Sequence, residues 1–207
     1  MDRRKFLKFT GLGLGSAALL GLGFNRFNIL GRENYYLQGN YAPVKEIITE
    51  DRLEVVGNIP KDLSGLYLRN GPNPMSPPNI KKYHWFEGEG MLHGVRLDGG
   101  KAVWYRNRPV GGNSANTHVI SHAKKIYAIV EAGGSPVEID QELNSLTEEP
   151  FYGTLKTGFT AHTKLDPESK ELHGITYNFP RGTYEAHHVV VGKDGRINRA
   201  DLLPLSS

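Results

Sequence analysis

The chain has 207 residues, enough for one domain of ordinary size or a domain and a half, with a formal net charge of +3 and 38% hydrophobic residues, slightly low for a globular protein. It contains no cysteine, so disulfides, zinc–thiolate sites, iron–sulfur clusters and thiol nucleophiles are all excluded. Its basic residues form no stripe or basic helix beyond the N-terminus, and the sequence therefore does not indicate nucleic-acid binding.

The first 30 residues predict a targeting segment rather than a part of the fold. A basic head precedes an apolar, glycine-rich stretch at residues 9–24, which is shorter than the roughly 20 residues of a membrane-spanning helix. The head, RRKFLK at residues 3–8, resembles the twin-arginine export signal of bacteria. This resemblance implies a bacterial protein exported to the periplasm or lumen, or one anchored at the membrane. A basic tail with a chance pair of arginines is the alternative.

From residue 50 onward, short apolar runs alternate with polar residues and predict an antiparallel all-β fold. Four predicted hairpins join residues 91–97 to 102–106, 117–121 to 126–130, 160–165 to 171–178, and 187–191 to 196–199. This pattern leaves a sandwich, a barrel and a propeller open. The last residues, 201–207, carry no capping element or polar tail, and we expect the chain to continue in a longer protein.

Five segments of this β-rich part occur in an order that is typical of one known family. They are GNYAPV at 39–44, NIPKDLSGLYLRNGPNP at 58–74, HWFEGEGMLH at 84–93, VEAG at 130–133 and TAHTKLDP at 160–167. Together these segments resemble the carotenoid cleavage oxygenases, a family that includes the retinal pigment epithelium isomerase and the lignostilbene dioxygenases. Glu87 and Glu89 stand where the family pattern has aspartate. The similarity extends from about residue 36 to residue 200.

The resemblance implies both a fold and a chemistry. Residues 31–207 would form the N-terminal blades of a seven-bladed β-propeller, which in the full-length enzyme holds one Fe(II) through four histidines. With O₂, such an enzyme cleaves a conjugated carbon–carbon double bond of a carotenoid or apocarotenoid to aldehyde or ketone products. His162 matches the first iron ligand, and the other three would lie beyond residue 207. Glu131 matches a glutamate that, from outside the coordination sphere, supports one of the other histidines.

The remaining histidines are interpreted as structural. A lone strand histidine is more often a hydrogen-bonded structural residue than a ligand, and only its TAHTKLDP context favours His162 as a ligand. Neighbouring strand residues point to opposite faces, so His187 and His188 cannot both face one metal without strain. The same structural interpretation covers His84 and His93 in the HWFEGEGMLH segment, His173 in a returning strand, and His118 and His122, which are expected to be exposed.

Several functions remain open at this point. Val130 stands where stilbene-cleaving members commonly carry a lysine, which favours a carotenoid or apocarotenoid substrate over a phenolic stilbene. The alternatives are a lignostilbene-type dioxygenase, a non-catalytic β-propeller that binds apolar pigment, and a structural protein complete in itself. A lipid-soluble substrate also predicts association with a membrane surface. Because a single imidazole cannot form a four-nitrogen site, we expect the 207-residue chain alone to bind iron weakly and to be inactive.

Overall fold

The computed structural model describes residues 34–111, 115–146, 149–177 and 185–205. The chain divides into two units, a small one of residues 1–42 with 79–83 and a large one of residues 43–78 with 84–207. The predicted targeting segment, residues 1–30, lies outside the described residues. Within the described ranges, no helix is long and apolar enough to cross a membrane.

In its described residues the large unit contains three antiparallel sheets, which confirms the all-β prediction. The first sheet has the order β1-β4-β3-β2 and comprises β1 (Thr49–Glu50), β2 (Gly65–Asn73), β3 (Glu89–Asp98) and β4 (Lys101–Pro109). The second has the order β5-β6-β7 and comprises β5 (His118–His122), β6 (Lys125–Ile129) and β7 (Val137–Ile139). The third has the order β11-β10-β9-β8 and comprises β8 (Lys164–Leu165), β9 (Leu172–Tyr177), β10 (Ala186–Val191) and β11 (Ile197–Leu203).

Helical structure in the described part of the chain is limited to four short 3₁₀ helices, Tyr35–Leu37, Gly39–Tyr41, Trp85–Glu87 and Pro150–Gly153. The first two belong to the small unit. There, the Asn34 side chain donates to the carbonyls of Ile80 and Tyr83 at 3.0 and 2.6 Å and accepts from the Tyr36 N–H at 2.8 Å. A single asparagine therefore joins the two chain segments of that unit.

Three of the four predicted hairpins are confirmed, and their turns explain why. Gly99 and Gly100, between β3 and β4, both have positive φ, which glycine adopts at little cost. Ala123 and Lys124, between β5 and β6, have φ values of 49° and 64°, the left-handed pair of a tight hairpin turn. The β10–β11 hairpin turns at residues 192–196.

The hairpin predicted around residues 166–170 is confirmed only in part. Just Lys164 and Leu165 pair with β9, so the prediction of a strand over residues 160–165 is wrong for residues 160–163. Residues 159–161 form hydrogen bonds elsewhere instead, because the Ala161 N–H donates to Glu131 and the Phe159 carbonyl accepts from the Thr176 hydroxyl. They lie against β9 closely enough that a Cβ at Gly174 would be 2.6 Å from Thr160 Cγ2.

Two apolar clusters lie on opposite sides of the middle sheet. Residues alternate across a strand, and β6 accordingly sends Ile126 and Ala128 to one cluster and Tyr127 and Ile129 to the other. The first cluster joins β6 to the first sheet and the second joins it to the third sheet. Other members of the first cluster are Leu92, Trp104, Val110, Ala115, Val137, Ile139 and Leu143, and those of the second are Phe151, Phe159, Ala161, Leu172, Val189 and Val191.

Candidate functional site

The two residues before His162 are buried, whereas the His162 ring is exposed. Its predecessors Thr160 and Ala161 are only 2% and 3% exposed, whereas the His162 side chain is 80% exposed. The packing of residues 159–161 against β9 therefore fixes the chain just before the histidine. His162 itself presents its imidazole to a cleft of about 620 Å³.

The Glu131 carboxylate holds this segment through four donors. Its Oε1 accepts from His162 Nδ1 at 2.5 Å and from the Ala161 N–H at 2.9 Å. Its Oε2 accepts from the Tyr177 hydroxyl at 3.2 Å, and the Thr160 hydroxyl lies 3.3 and 3.4 Å from the two carboxylate oxygens. Glu131 thus fixes both the backbone and the ring at the histidine position.

Close backbone contacts bring Glu131 to this place. The chain leaves β6, and after Glu131 it turns through Ala132 and Gly133, whose φ values of 60° and 76° are left-handed. Gly158 lies so close to this turn that a Cβ on it would be 2.2 Å from the Cα and O atoms of Gly133. The Phe159 N–H also donates to the Gly134 carbonyl at 3.1 Å. Glycines on both sides therefore permit the approach of the two loops.

Tyr177, the last residue of β9, is suited to remain a donor to Glu131. Burial, and then the negative charge and hydrogen bond of Glu131, raise the pKa of the Tyr177 phenol above its ordinary value. A tyrosine hydroxyl is already protonated at neutral pH, and the raised pKa extends its role as a donor to more alkaline pH. Neither Tyr177 nor the role of Thr160 is predicted from the sequence. Thr160 lies within the TAHTKLDP segment, but Tyr177 has no comparable local signal.

The arrangement leaves His162 prepared to bind a metal. An ionised carboxylate only accepts hydrogen bonds, so the proton lies on Nδ1 and the Nε2 lone pair is free for coordination. Histidines that bind metals almost always donate their other N–H to such an acceptor. The residues present therefore fit the role of His162 as a ligand of ferrous iron. The resemblance implied that Glu131 supports a different histidine, whereas in this chain it is hydrogen-bonded to His162 itself.

The cleft beside His162 contains further polar and apolar side chains. Besides Glu131, Thr160 and His162, it is lined by Lys164, His173, Gly174, Ile175, Tyr177 and His188. In the ranges that the structure describes, no group of three or more histidine, aspartate or glutamate side chains is placed to hold a metal ion. His162 therefore belongs to no such group within this part of the chain.

The other predicted structural histidines differ in their surroundings. His118 is exposed as predicted, but the prediction for His122 is wrong, because that residue is buried and its Nε2 lies 2.8 Å from the Gly192 carbonyl. This partner belongs to the β10–β11 turn, 70 residues away, so local sequence could not indicate it. His187 and His188 do face opposite sides of β10, since His188 lines the cleft and His187 lines a separate cavity.

Two further histidines form local hydrogen bonds in the first sheet region. His93 Nδ1 lies 2.8 Å from the Tyr105 hydroxyl, and burial together with the charge of Arg69 lowers the pKa of His93. His84 Nδ1 accepts from the Phe86 N–H at 3.3 Å at the start of the 3₁₀ helix Trp85–Glu87. Both contacts agree with the structural interpretation of these residues.

Comparison with known proteins identifies the family. The model of the retinal pigment epithelial membrane protein family matches residues 41–112 and 109–206. The chain is 40% identical over 190 residues to a carotenoid cleavage oxygenase of Mycobacterium tuberculosis (strain CDC 1551 / Oshkosh), covering 81% of this chain and 38% of that protein. It is 30% identical over 225 residues to the carotenoid 9,10(9′,10′)-cleavage dioxygenase 1 of Phaseolus vulgaris, covering 84% and 40%.

A solved structure shows the same fold. The lignostilbene dioxygenase of Pseudomonas brassicacearum superimposes with a TM-score of 0.71 at 24% identity, covering 81% of this chain and 42% of that one. The chain thus spans about two fifths of the length of these relatives. From the family match, the sequence identity and the shared all-β architecture, the chain belongs to the retinal pigment epithelial membrane protein family, which includes the carotenoid cleavage oxygenases.

Proposed function

We propose that the chain is the N-terminal part of a non-haem Fe(II) dioxygenase that cleaves a conjugated double bond of a carotenoid or apocarotenoid into aldehyde or ketone products. The observation that carries this proposal is the pair formed by Glu131 and His162. The carboxylate fixes the Nδ1–H tautomer and leaves Nε2 directed to a cleft, in a chain of the carotenoid cleavage oxygenase family. In the whole protein we expect a seven-bladed propeller, with three further histidine ligands beyond residue 207.

Each residue of the site has a separate task in this proposal. His162 supplies one neutral nitrogen, and Glu131 holds that imidazole in its tautomer and orientation. Tyr177 and Thr160 donate to the Glu131 carboxylate and keep it from turning. When bound, one Fe(II) per full-length chain would supply open coordination positions at which O₂ can bind. Ile175 and the ring of Tyr177 give the cleft apolar wall surface suited to a conjugated hydrocarbon.

The substrate class is proposed from position 130. Val130 has no charge with which to ionise a phenol, and this favours a carotenoid or apocarotenoid over a stilbene. A lignostilbene-type activity and non-catalytic binding of an apolar pigment are the two competing functions. We also propose that the N-terminal segment directs export or anchoring, and that the enzyme meets its lipid-soluble substrate at a membrane surface.

Replacement of His162 by alanine in a full-length protein that contains this chain tests the proposal. Iron content and O₂-dependent aldehyde formation from a panel of carotenoids, apocarotenoids and stilbenes are measured. We expect both to be lost, because the proposed iron site would keep only three of its four nitrogens. The matched control is His187→Ala on the opposite face of β10, which should keep both.

Three outcomes would redirect the proposal. Unchanged iron and activity in the His162→Ala protein would remove His162 from the site. Cleavage restricted to stilbenes would favour the lignostilbene-type function. Pigment binding with neither bound iron nor product from the unaltered protein would favour a binding protein. For the 207-residue chain alone we expect weak iron binding and no activity, and retention of one equivalent of Fe(II) would contradict this expectation.

A further inference from the structure

Two cleft histidines from adjacent strands meet through their ring nitrogens. In the β9–β10 register His173 is opposite Val190 and His188 is opposite Ile175, so the two histidines are diagonal neighbours on one face. His173 Nδ1 lies 3.2 Å from His188 Nε2. The ring centroids are 5.4 Å apart with an interplanar angle of 18°, so the nearly parallel rings approach edge to edge and share one N–H···N hydrogen bond.

We propose that His173 and His188 form a second metal site, separate from His162, for a borderline divalent cation such as Zn²⁺, Ni²⁺ or Cu²⁺. Two imidazole nitrogens bound at about 2.0–2.1 Å to one tetrahedral ion are roughly 3.3 Å apart. The observed 3.2 Å therefore already matches the required spacing. A modest tilt of the rings makes both lone pairs converge on one ion in place of the shared proton.

The far nitrogen of His173 lies near a carboxylate, at ion-pair distance but beyond hydrogen-bond distance. His173 Nε2 lies 4.0 Å from Glu171 Oε2, while Glu171 Oε1 is held by the Asn198 side-chain amide at 3.4 Å. When a metal takes Nδ1, a proton on that nitrogen moves to Nε2, and a small shift of the Glu171 carboxylate would let the Nε2–H donate to it. Neutral rings therefore bind the ion without net release of a proton.

The remaining coordination positions are accessible. The His173 side chain is 32% exposed, and both histidines line the cleft of about 620 Å³, so water can complete the coordination shell. Lys164 is the opposing charge, because it pairs with His173 across β8 and β9 and lines the same cleft. The positive charge of Lys164 disfavours a hard metal ion that would be held by charge alone. The candidates that remain are metal ions that bind imidazole nitrogen.

Isothermal titration of the metal-free 207-residue chain with Zn²⁺, and separately with Ni²⁺, tests the site. We expect one equivalent to bind, and His173→Ala and His188→Ala each to weaken binding at least about tenfold. Glu171→Gln should weaken it by about tenfold, in the range found for partners of metal-bound histidines. His187→Ala is the matched control on the same strand and should bind like the unaltered chain. His162→Ala should also leave this affinity unchanged, which separates the site from the proposed iron site.

With the alanine variants, two results would overturn the inference. One is equal affinity in the unaltered chain and both alanine variants, with folding checked by circular dichroism. The other is loss of binding in His162→Ala, which would assign the ion to the proposed iron site. In the unaltered chain, the imidazole C–H NMR signals of His173 and His188 must shift first as Zn²⁺ is added. A first shift at other histidines would also contradict the proposal, independently of any variant.

Discussion

Glu131 Oε1 lies 2.5 Å from His162 Nδ1, and the same oxygen accepts the N–H of Ala161 at 2.9 Å. One carboxylate oxygen therefore holds a histidine ring and the peptide group immediately before it. The glutamate follows β6 of the middle sheet, and the histidine precedes β8 of the third sheet. The orientation of the proposed ligand consequently depends on how closely these two sheets approach.

The first prediction concerns Glu131→Ala in the full-length protein. Loss of the carboxylate removes the acceptor that fixes the His162 tautomer, and partners of this kind contribute about 10–100-fold to metal affinity. We expect iron affinity to fall within that range, measured by competition with a chelator. Glu168→Ala, at an exposed turn, is the control and should bind iron normally. Unaltered affinity in the Glu131 variant would show that His162 does not need this carboxylate.

Tyr177→Phe should loosen the carboxylate without removing it. The lost hydroxyl donates to a charged acceptor, so we expect the free energy of unfolding to fall by about 1.5 kcal/mol. In long-range ¹H–¹⁵N spectra the His162 ring should show less of the Nδ1–H tautomer. Tyr105→Phe is the matched control, because its hydroxyl lies 2.8 Å from His93 Nδ1 instead. A His162 spectrum that is identical in the two variants would deny Tyr177 a positioning role.

Gly158→Ala should disturb the approach of the two loops. The new Cβ would be 2.2 Å from backbone atoms of Gly133, which cannot move aside like a flexible side chain. Overpacking of this kind costs about 1–3 kcal/mol, and chemical denaturation should show that loss. A Cβ at Gly71, in β2, would have no atom within 4 Å, so Gly71→Ala should change stability by less than about 0.5 kcal/mol. Equal stability of the two variants would contradict the close approach.

Asp166 predicts a pH dependence of stability. Hydrogen bonds from the Glu168 N–H at 2.8 Å and the Ser169 hydroxyl at 2.9 Å lower the pKa of Asp166 below 3.8 in the folded chain. The stabilisation is therefore complete above about pH 3.8 and is lost as the pH falls through the lowered pKa. Asp166→Asn should reduce the fall in unfolding free energy between pH 4 and pH 2, measured by urea denaturation. The same slope in both proteins would contradict the prediction.

The hairpins were predictable because their information is local. Turn residues such as Gly99 and Gly100 lie beside the runs they connect, and alternating apolar residues define the strands. The segment before β8 was mispredicted because the donor and acceptor groups of residues 159–161 pair with Glu131 and Thr176, which alternation does not reveal. His122 was mispredicted for the same reason, since its partner is the carbonyl of Gly192.

The candidate site was predictable only where a segment resembles a family pattern. His162 and Glu131 lie in such segments, but 31 residues separate them and no local signal indicates that they are in contact. Tyr177 joins them only through the position where β9 ends. The contact between His173 and His188 depends on strand register, because a shift of one residue would place one ring on the opposite face. Such relationships follow from tertiary pairing and not from the order of residues.

The alternation along β6 has a consequence for how the molecule unfolds. Four successive residues, Ile126 to Ile129, are at most 8% exposed and serve two different clusters in turn. In repetitive architectures, stability is divided between the units and the interfaces that join neighbours. A middle sheet that contributes to both apolar clusters cannot unfold without exposing apolar surface on each side. Loss of β6 should therefore be a cooperative event for all three sheets, and the short central strand should be among the last segments to exchange its amide hydrogens.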